Sequence, residues 1–313
     1  MAAATLLLPS RARFAGQTLP DAIARTLGRA DRTQAGEPGE RAQLLRHFDL
    51  LPRGWPVAAL TREFDAGDAS LSAWVRADPV YVRPDINGAR LLAHAQAMQL
   101  GHDDIEALLP ALRPLFGDTG FTIDAPAPTR WYLRLPREAK LPVFSAPADA
   151  LGTDFFEHMP EGPEGRRWRA LLSEAQVVLH NHPHNASRTA AGKPPVNSLW
   201  FWGGGILPDH VTTPYASIHS DDTTLLALAS AARVQSGALA TGFASMTVGT
   251  LHDLRALRSA AALANDWLVP AIAAVQRGEL HSLRLDFDDG TSFSIERRQR
   301  WRFWRKPLAT IDA

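Results

Sequence analysis

The chain has 313 residues, of which 45% are hydrophobic and 21% are charged, and it contains no cysteine. Lysine plus arginine and aspartate plus glutamate both number 33, so the formal net charge is +0. This composition is typical of a water-soluble globular protein, and it excludes disulfides, thiol catalysis and cysteine metal sites. The neutral charge also argues against nucleic acid as a partner, because such binding depends on a cationic surface.

The first residues, MAAATLLLPSRARF, lack the basic segment that precedes the apolar run of a signal peptide. No apolar run in the chain is long enough to span a bilayer. We therefore expect a cytoplasmic protein without a membrane partner.

Periodicity and turn residues predict strands and helices in alternation over the first part of the chain. The predicted strands are Thr5–Leu8, Ala73–Val82, Phe121–Ile123 and Trp131–Leu135. The predicted helices are Pro20–Ala30, Glu40–Leu50, Val57–Phe64 and His102–Phe116.

The segment Arg166–Gly205 is the most informative part of the sequence. One apolar stripe predicts a helix over Arg166–His180, which should end just before Pro183 because a residue that precedes proline disfavours helical geometry. A buried strand, Ser198–Trp202, is expected to end in a tight turn at Gly203–Gly205. The alternative is that this glycine backbone approaches a phosphate, although the run matches no phosphate-loop motif.

The C-terminal part is predicted to continue the alternation. A strand over Tyr215–His219 leads into a helix over Thr223–Val234. A long helix is predicted over His252–Gln276, and Pro270 must break or kink it.

Alternating apolar residues near the C-terminus predict an antiparallel hairpin. A three-residue loop, Asp288–Gly290, with Gly290 left-handed, places Leu285 opposite Phe293, whereas a two-residue loop would mismatch the faces. The predicted fold is therefore α/β, with a mixed or parallel sheet flanked by helices and an antiparallel C-terminal hairpin.

Three alternate histidines, His180, His182 and His184, suggest a metal site. Alternate residues of an extended segment point in different directions, so we favour the alternative that His182 fixes a turn through hydrogen bonds. Other acid and histidine groups match no metal motif and are expected in solvated loops, with Asp222 as a helix N-cap. These groups are Asp209-His210, His219, Asp221-Asp222 and His252-Asp253.

The tail Arg297–Lys306 interleaves basic and aromatic residues. Such a pattern can bind phosphates and stack bases. It also suits an edge strand with Trp301 and Phe303 directed inward, Arg300 and Arg302 directed outward, and Trp304 packed on the protein. We favour this structural interpretation and expect Trp304→Ala to lower the melting temperature.

A run of residues around the predicted turn resembles the archaeal-type, cofactor-independent phosphoglycerate mutases. Two upstream segments, Asp78–Asp85 and Thr129–Leu135, are similar to further segments of that family in the same order, so the resemblance covers about Ala73–Gly205. The whole chain also resembles the RpfE-type regulatory proteins of proteobacteria. The residues of the run are His182, Pro183, Asn185, Arg188, Gly192, Pro195, Asn197 and Trp200–Gly203.

The resemblance implies the fold of the alkaline-phosphatase superfamily, in which two divalent metals activate a serine that is transiently phosphorylated. It also implies metal ligands that this chain does not have in their usual places. No acid precedes Asp21, Ala58 and Ala59 stand where the family places its serine, and the D-x-x-G-H motif is absent. We therefore expect a catalytically degenerate protein that needs no cofactor.

The resemblance places a phosphorylated or carboxylated metabolite among eight residues, with Arg188 as the principal contact. We expect one unit over 1–313, with 73–205 as its substrate side and 206–313 as a divergent part. The function expected is regulation or metabolite binding. The alternatives are an active mutase or phosphatase with relocated ligands for a divalent metal, and an interaction protein that uses the tail to bind an unidentified protein. The eight residues are Arg83, Arg130, His182, Asn185, Arg188, Asn197, Gly203 and Gly204.

Overall fold

A computed structural model describes residues 3–86, 88–243 and 249–312. The chain forms two compact units. The first combines the residues up to Arg53 with those from Asp209 onward, and the second is the continuous segment Gly54–Pro208. The expected substrate side, Ala73–Gly205, lies within the second unit. None of the helices in the described ranges has the length and apolar character that a bilayer crossing requires.

The described residues form fourteen strands and ten α-helices. The strands are β1 (Ala3–Leu8), β2 (Asp31–Gln34), β3 (Asp49–Leu51), β4 (Ala73–Asp85), β5 (Gly88–Ala93), β6 (Thr122–Ala127), β7 (Arg130–Leu135), β8 (Ser198–Ile206), β9 (His210–Thr212), β10 (Ser217–His219), β11 (Gln235–Gly237), β12 (Thr250–Asp253), β13 (Ser282–Phe287) and β14 (Thr291–Glu296). The helices are α1 (Asp21–Arg29), α2 (Glu40–Leu45), α3 (Val57–Ala66), α4 (His102–Gly117), α5 (Pro147–Ala150), α6 (Gly162–His180), α7 (His184–Ala190), α8 (Thr223–Ala231), α9 (Ala260–Ala262) and α10 (Val269–Arg277).

The first unit contains a seven-stranded sheet in the order β11-β10-β12-β1-β13-β14-β2. The first five strands run parallel, and β14 and β2 are antiparallel additions. The central strand β1 is almost entirely buried, as expected of a parallel strand covered on both faces. The predicted fold class is thereby confirmed.

The hairpin of β13 and β14 has the predicted register. Leu285 lies opposite Phe293, and the loop Asp288–Gly290 closes with a hydrogen bond from the Gly290 amide to the Phe287 carbonyl at 3.0 Å. Gly290 has φ of 83°, a left-handed conformation that glycine adopts without steric cost. The alternation of apolar and polar residues along the two strands was therefore sufficient to predict the length of the loop.

Two helix predictions in the first unit are wrong. His252 does not begin a helix, because it lies in β12 between β10 and β1, and the helical segment starts only at Ala260. The helix predicted over Glu40–Leu50 ends at Leu45, and its last residues join β3. In both places, pairing with a strand distant in sequence overrides the local helical preference.

Pro270 does not break its helix. A π-helical turn over Leu263–Leu268 precedes it, and α10 begins with the proline in its first turn. The π-helical turn already interrupts the regular α-helical hydrogen-bond pattern just before Pro270, and prolines are accommodated at such irregularities. The helix therefore continues through the predicted break.

The basic aromatic tail does not form the predicted edge strand. Arg297–Trp301 is a short 3₁₀-helix, and Trp301, Phe303 and Trp304 are exposed. The expected inward packing of these rings is wrong. Arg302, which was expected to face outward, instead pairs with Asp31.

The second unit is an antiparallel sheet centred on β4, which pairs with β5, β7 and β8. The helix predicted over Arg166–His180 is confirmed as α6, and it ends before Pro183 as expected. The tight turn predicted at Gly203–Gly205 is wrong, because β8 continues through the glycines to Ile206. The pairing with β4 shifts register there, so the glycines form an irregularity within a strand rather than its end.

A buried polar network joins α2 to the parallel sheet of the first unit. Asp286 is fully buried on β13, with Arg46 Nη2 2.6 Å from its Oδ1 and His47 Nε2 3.0 Å from its Oδ2. Nδ1 of His47 lies 2.8 Å from the hydroxyl of Tyr215. Burial opposes ionisation of Asp286, but the hydrogen bonds from His47 and Arg46 outweigh it and hold the pKa of the carboxyl below its usual value.

Replacing Asp286 should destabilise the first unit. Asp286→Ala leaves two buried donors without their acceptor, and we expect a loss of about 3–5 kcal/mol in the free energy of unfolding, measured by urea denaturation. Glu279→Ala, which removes the exposed pair with Arg277, is the control and should change stability little. Equal stability of both variants would contradict a structural role for the network.

Candidate functional site

The turn between α6 and α7 is held by two polar side chains. The amide of His184 lies 3.3 Å from Nδ1 of His182, which accepts its hydrogen bond. Asn185 is buried, donates to the carbonyls of Leu179 and Val196 at 2.8 Å each, and accepts from the Val196 amide at 2.8 Å. The turn that the sequence assigned to His182 thus exists, and both side chains are directed to backbone groups of the chain itself.

Arg188 lies inside the second unit, with only 2% of its surface exposed. Its Nη1 is 2.6 Å from Oδ2 of Asp104, and it donates hydrogen bonds to the carbonyls of Pro194 and Met98. Asp104 also receives the amide of Gly101 at 2.8 Å, at the start of α4. Burial opposes ionisation of Asp104, but these hydrogen bonds outweigh it and hold its pKa below the usual range. The guanidinium expected to contact a ligand thus has internal partners.

Loss of Arg188 should therefore cost stability. Arg188→Ala leaves the Asp104 carboxylate buried without its arginine, and we expect about 3–5 kcal/mol of destabilisation in urea unfolding. Arg83→Ala, which removes an exposed guanidinium, is the control and should leave the unfolding midpoint almost unchanged. An Arg188→Ala variant as stable as the control would show that this arginine is free for a ligand.

Two further expected contacts, Asn197 and Arg130, also have internal partners. Asn197 accepts from the amide of Val82 at 2.9 Å and donates to its carbonyl at 2.6 Å. Arg130 makes a two-pronged pair with Asp65, with both distances 2.7 Å. Arg83, by contrast, is exposed on β4.

The two glycines of the expected site lie against apolar neighbours. Gly203 has φ of +64°, and a Cβ there would lie 3.0 Å from Cβ of Val57. A Cβ on Gly204 would lie 2.8 Å from Cδ1 of Leu141. Close packing thus explains both glycines, and the ligand role of all eight residues stays a prediction.

Sequence reasoning missed a buried pair next to the expected site. Arg76 and Asp78 lie on β4 with 5% exposure each and are joined by two hydrogen bonds of 2.9 and 2.8 Å. The rings of Tyr132 and Trp202 lie 5.3 and 5.2 Å from the guanidinium carbon of Arg76. The Trp202 indole also donates to Asp78 at 2.7 Å. Arg76 and Asp78 are two residues apart in a predicted strand, so they lie on the same face of it, and this spacing could have predicted the pair.

In the first unit, acidic residues collect at the carboxyl edge of the parallel sheet, where open α/β sheets bind ligands. Arg255 lies among them. Its Nε and Nη2 donate to the two oxygens of Asp253 at 2.8 and 2.7 Å. Its Nη1 is 2.8 Å from Glu40, and Nη2 is 3.3 Å from Asp222. Asp222 also caps α8 as predicted, by accepting the amide of Leu225 at 2.8 Å.

Arg255 offsets part of the negative charge of this acidic cluster. Burial disfavours its charged form, but the neighbouring carboxylates of Asp253, Asp222 and Glu40 outweigh burial and raise its pKa. The pKa of Asp253 is lowered, because hydrogen bonds from Arg255 and Ser220 outweigh the cost of burial. The cluster thus exists as an ion network rather than as a set of open metal ligands. Asp222 follows β10 and Asp253 ends β12. These positions at the ends of parallel strands could have predicted the cluster from the sequence.

Two histidines stack next to the cluster. The rings of His219 and His252 are 5.2 Å apart and nearly parallel, at 15°. The ring of His252 also lies 5.8 Å from that of Phe243 and 5.2 Å from that of Trp267, and its Nδ1 has no hydrogen-bond partner in the part of the chain that the structure describes. Burial, assisted by the neighbouring His219, lowers the pKa of His252 to about 4. His252 is therefore neutral at physiological pH.

This histidine predicts how stability depends on acid. Between pH 6.5 and about 4, His252 is protonated in the unfolded chain but neutral in the folded one, so folding releases a proton. Stability should fall as the pH falls through that window, by about 3 kcal/mol in total. Urea unfolding of the wild type and of His252→Phe at a series of pH values checks this. An unchanged slope in the variant would assign the acid sensitivity to other groups.

Comparisons with known proteins give relatives but no matching family model. A probable 2,3-bisphosphoglycerate-independent phosphoglycerate mutase of Geobacter sulfurreducens is 28% identical over 197 residues, which are 60% of this chain and 48% of that protein. The mutase of Methanosarcina barkeri is 37% identical over 73 residues, 23% of this chain and 18% of that one. The chain is a partial homologue of these mutases. It spans less than half the length of either relative.

Among solved structures, the cofactor-independent phosphoglycerate mutase of Thermoplasma acidophilum is 14% identical, with a TM-score of 0.42. That match covers 94% of this chain and 89% of the mutase. The PH0037 protein of Pyrococcus horikoshii is 10% identical, with a TM-score of 0.43, over 94% of this chain and 87% of that one.

The residues at the carboxyl edge do not fit the divalent metals of the superfamily that the sequence resembles. In ranges 3–86, 88–243 and 249–312, no three His, Asp or Glu side chains are grouped to hold a metal ion. Both oxygens of Asp253 are bound by Arg255, and one also accepts from Ser220 at 2.7 Å. A metal would have to displace the guanidinium before it could reach this carboxylate.

Proposed function

We propose that this chain is a catalytically degenerate relative of the cofactor-independent phosphoglycerate mutases, with a regulatory role in which it binds a phosphorylated or carboxylated metabolite. One observation carries the proposal. Arg255 lies between Asp253, Asp222 and Glu40 at the sheet edge and supplies the positive charge there. A tethered guanidinium offsets part of the negative charge but cannot activate a nucleophile as a metal ion does.

The nucleophile position supports the same proposal. Ala58 and Ala59, which stand where the resemblance places the serine, are fully buried on α3 and pack in a cluster with Trp74 and Tyr132. They offer no hydroxyl group. The nearby hydroxyl of Thr61 donates to the carbonyl of Val57 at 2.7 Å. The apolar packing of this segment supports the proposal that the chain is catalytically degenerate.

The metabolite part of the proposal rests on the resemblance and on one residue. Arg83 is the expected contact whose side chain is exposed, and guanidinium groups suit phosphate and carboxylate. The resemblance to RpfE-type regulatory proteins favours a binding role over turnover. The cytoplasmic location belongs to the same proposal.

The first test is catalytic. We expect no mutase turnover in a coupled assay with added Mn²⁺, Mg²⁺ or Co²⁺, because losing a metal-bound nucleophile removes many orders of magnitude of rate. In the same preparation, 3-phosphoglycerate should raise the melting temperature of the wild type but not of Arg83→Ala. Robust turnover that a chelator abolishes would instead favour the active enzyme with relocated ligands.

The second test asks whether Arg255 takes the place of a cation. Arg255→Ala should lower the melting temperature, because it leaves neighbouring carboxylates to repel one another, and millimolar Mn²⁺ should restore part of the loss. The wild type should not respond to Mn²⁺. Arg277→Ala, at an exposed pair, is the control and should show neither effect. Stabilisation of the wild type by Mn²⁺ would contradict the proposal.

A further inference from the structure

The tail Arg297–Lys306, here called the aromatic arm, presents large aromatic rings to solvent. Trp301, Phe303 and Trp304 are 64%, 77% and 70% exposed. These three side chains lie within four consecutive residues and form the most exposed aromatic cluster in the described ranges. The other seven tryptophans of the chain are buried or half-buried. Exposed aromatic clusters of this kind mark interaction surfaces.

The exposure does not come from a detached tail. Arg29 donates to the carbonyl of Arg300 at 3.0 Å, and Arg302 pairs with Asp31. Beyond the rings, the amide of Leu308 donates to the carbonyl of Ala24 at 2.8 Å. The backbone of the arm is therefore held against α1 on both sides of the rings.

The arm is strongly cationic although the chain is neutral. It contains six basic residues and no acid. Asp31 pairs with Arg302 and Glu296 with Arg298, and in the described ranges no carboxylate pairs with Arg300, Arg305 or Lys306. The complementary partner is therefore anionic.

Ring geometry decides between the anionic partners. The rings of Phe303 and Trp304 meet edge to face, 5.5 Å apart at 80°, and the guanidinium of Arg300 lies 4.8 Å from the Trp301 ring. Successive bases stack on open, roughly parallel ring faces, which this arrangement does not offer. A lipid interface needs no such alignment, because burial of aromatic surface there is not directional.

We propose that the aromatic arm docks the protein on an anionic lipid surface. Tryptophan and phenylalanine enter the interfacial region, and the arginines and lysine contact the lipid headgroups. The sequence predicted no membrane partner because it lacks a signal peptide and a spanning segment, and neither feature is needed for a local cationic patch to bind a lipid surface. Binding is reversible and weakens with salt, because a short cationic segment is its main attraction.

The test is sedimentation of the full chain with phosphatidylcholine vesicles, with and without phosphatidylserine. The wild type should bind only the anionic vesicles. An Arg300→Gln, Arg305→Gln, Lys306→Gln triple variant should bind about a hundredfold more weakly, since each cation near the surface contributes about fivefold. The charge-matched control, Arg113→Gln, Arg137→Gln, Lys140→Gln, removes exposed cations elsewhere and should bind like the wild type.

A second pair of variants tests the rings. Trp301→Ser with Trp304→Ser should weaken binding even at low salt, whereas Phe156→Ser removes an exposed ring elsewhere and should not. All variants should melt like the wild type, since the altered side chains are exposed. Equal binding of arm and control variants would overturn the proposal. So would tighter binding to a single-stranded oligonucleotide than to vesicles, or a tryptophan-dependent dimer without vesicle binding.

Discussion

The pair between Arg255 and Asp253 sets the charge of the carboxyl edge of the parallel sheet. Carboxylates from α2, the start of α8 and β12 approach one another there, and without a cation their repulsion would separate these elements. The planar guanidinium has five donors, so it can satisfy several acids at once. At the edge where open α/β sheets bind ligands, Arg255 therefore connects β12 with α2 and with the start of α8.

The same arrangement recurs in the second unit, where Arg188 holds Asp104 and Arg76 holds Asp78. This explains why the candidate site was harder to predict than the fold. The hairpin register and most helices follow from local periodicity, which the sequence displays directly. The partner of a buried arginine lies on a distant element, so neither the residue type nor the resemblance could predict that the fold supplies Arg188 with an internal carboxylate.

Gly203 and Trp304 show the same limit of prediction from local sequence. Gly203 was predicted in a turn but lies in a strand, and Trp304 was predicted to pack on the protein but is exposed. Three successive glycines favour a turn locally, but β4 pairs with residues on both sides of Gly203 and Gly204, so the strand continues past an irregularity. A tryptophan favours burial, but the arm attaches to α1 through backbone and guanidinium groups and leaves the ring outside. In both cases tertiary hydrogen bonding outweighs a single-residue preference, and a sequence contains no direct record of such bonds.

The order of the units along the chain has a consequence for synthesis. The second unit is continuous, whereas β1 must pair with β12 and β13, which follow the second unit in the chain. On the ribosome, the second unit is therefore complete while the apolar strand β1 still has both edges unpaired. A chain truncated before Thr250 would contain a folded second unit and a strand β1 with both edges unpaired. Unpaired strand edges can pair with other chains and cause aggregation.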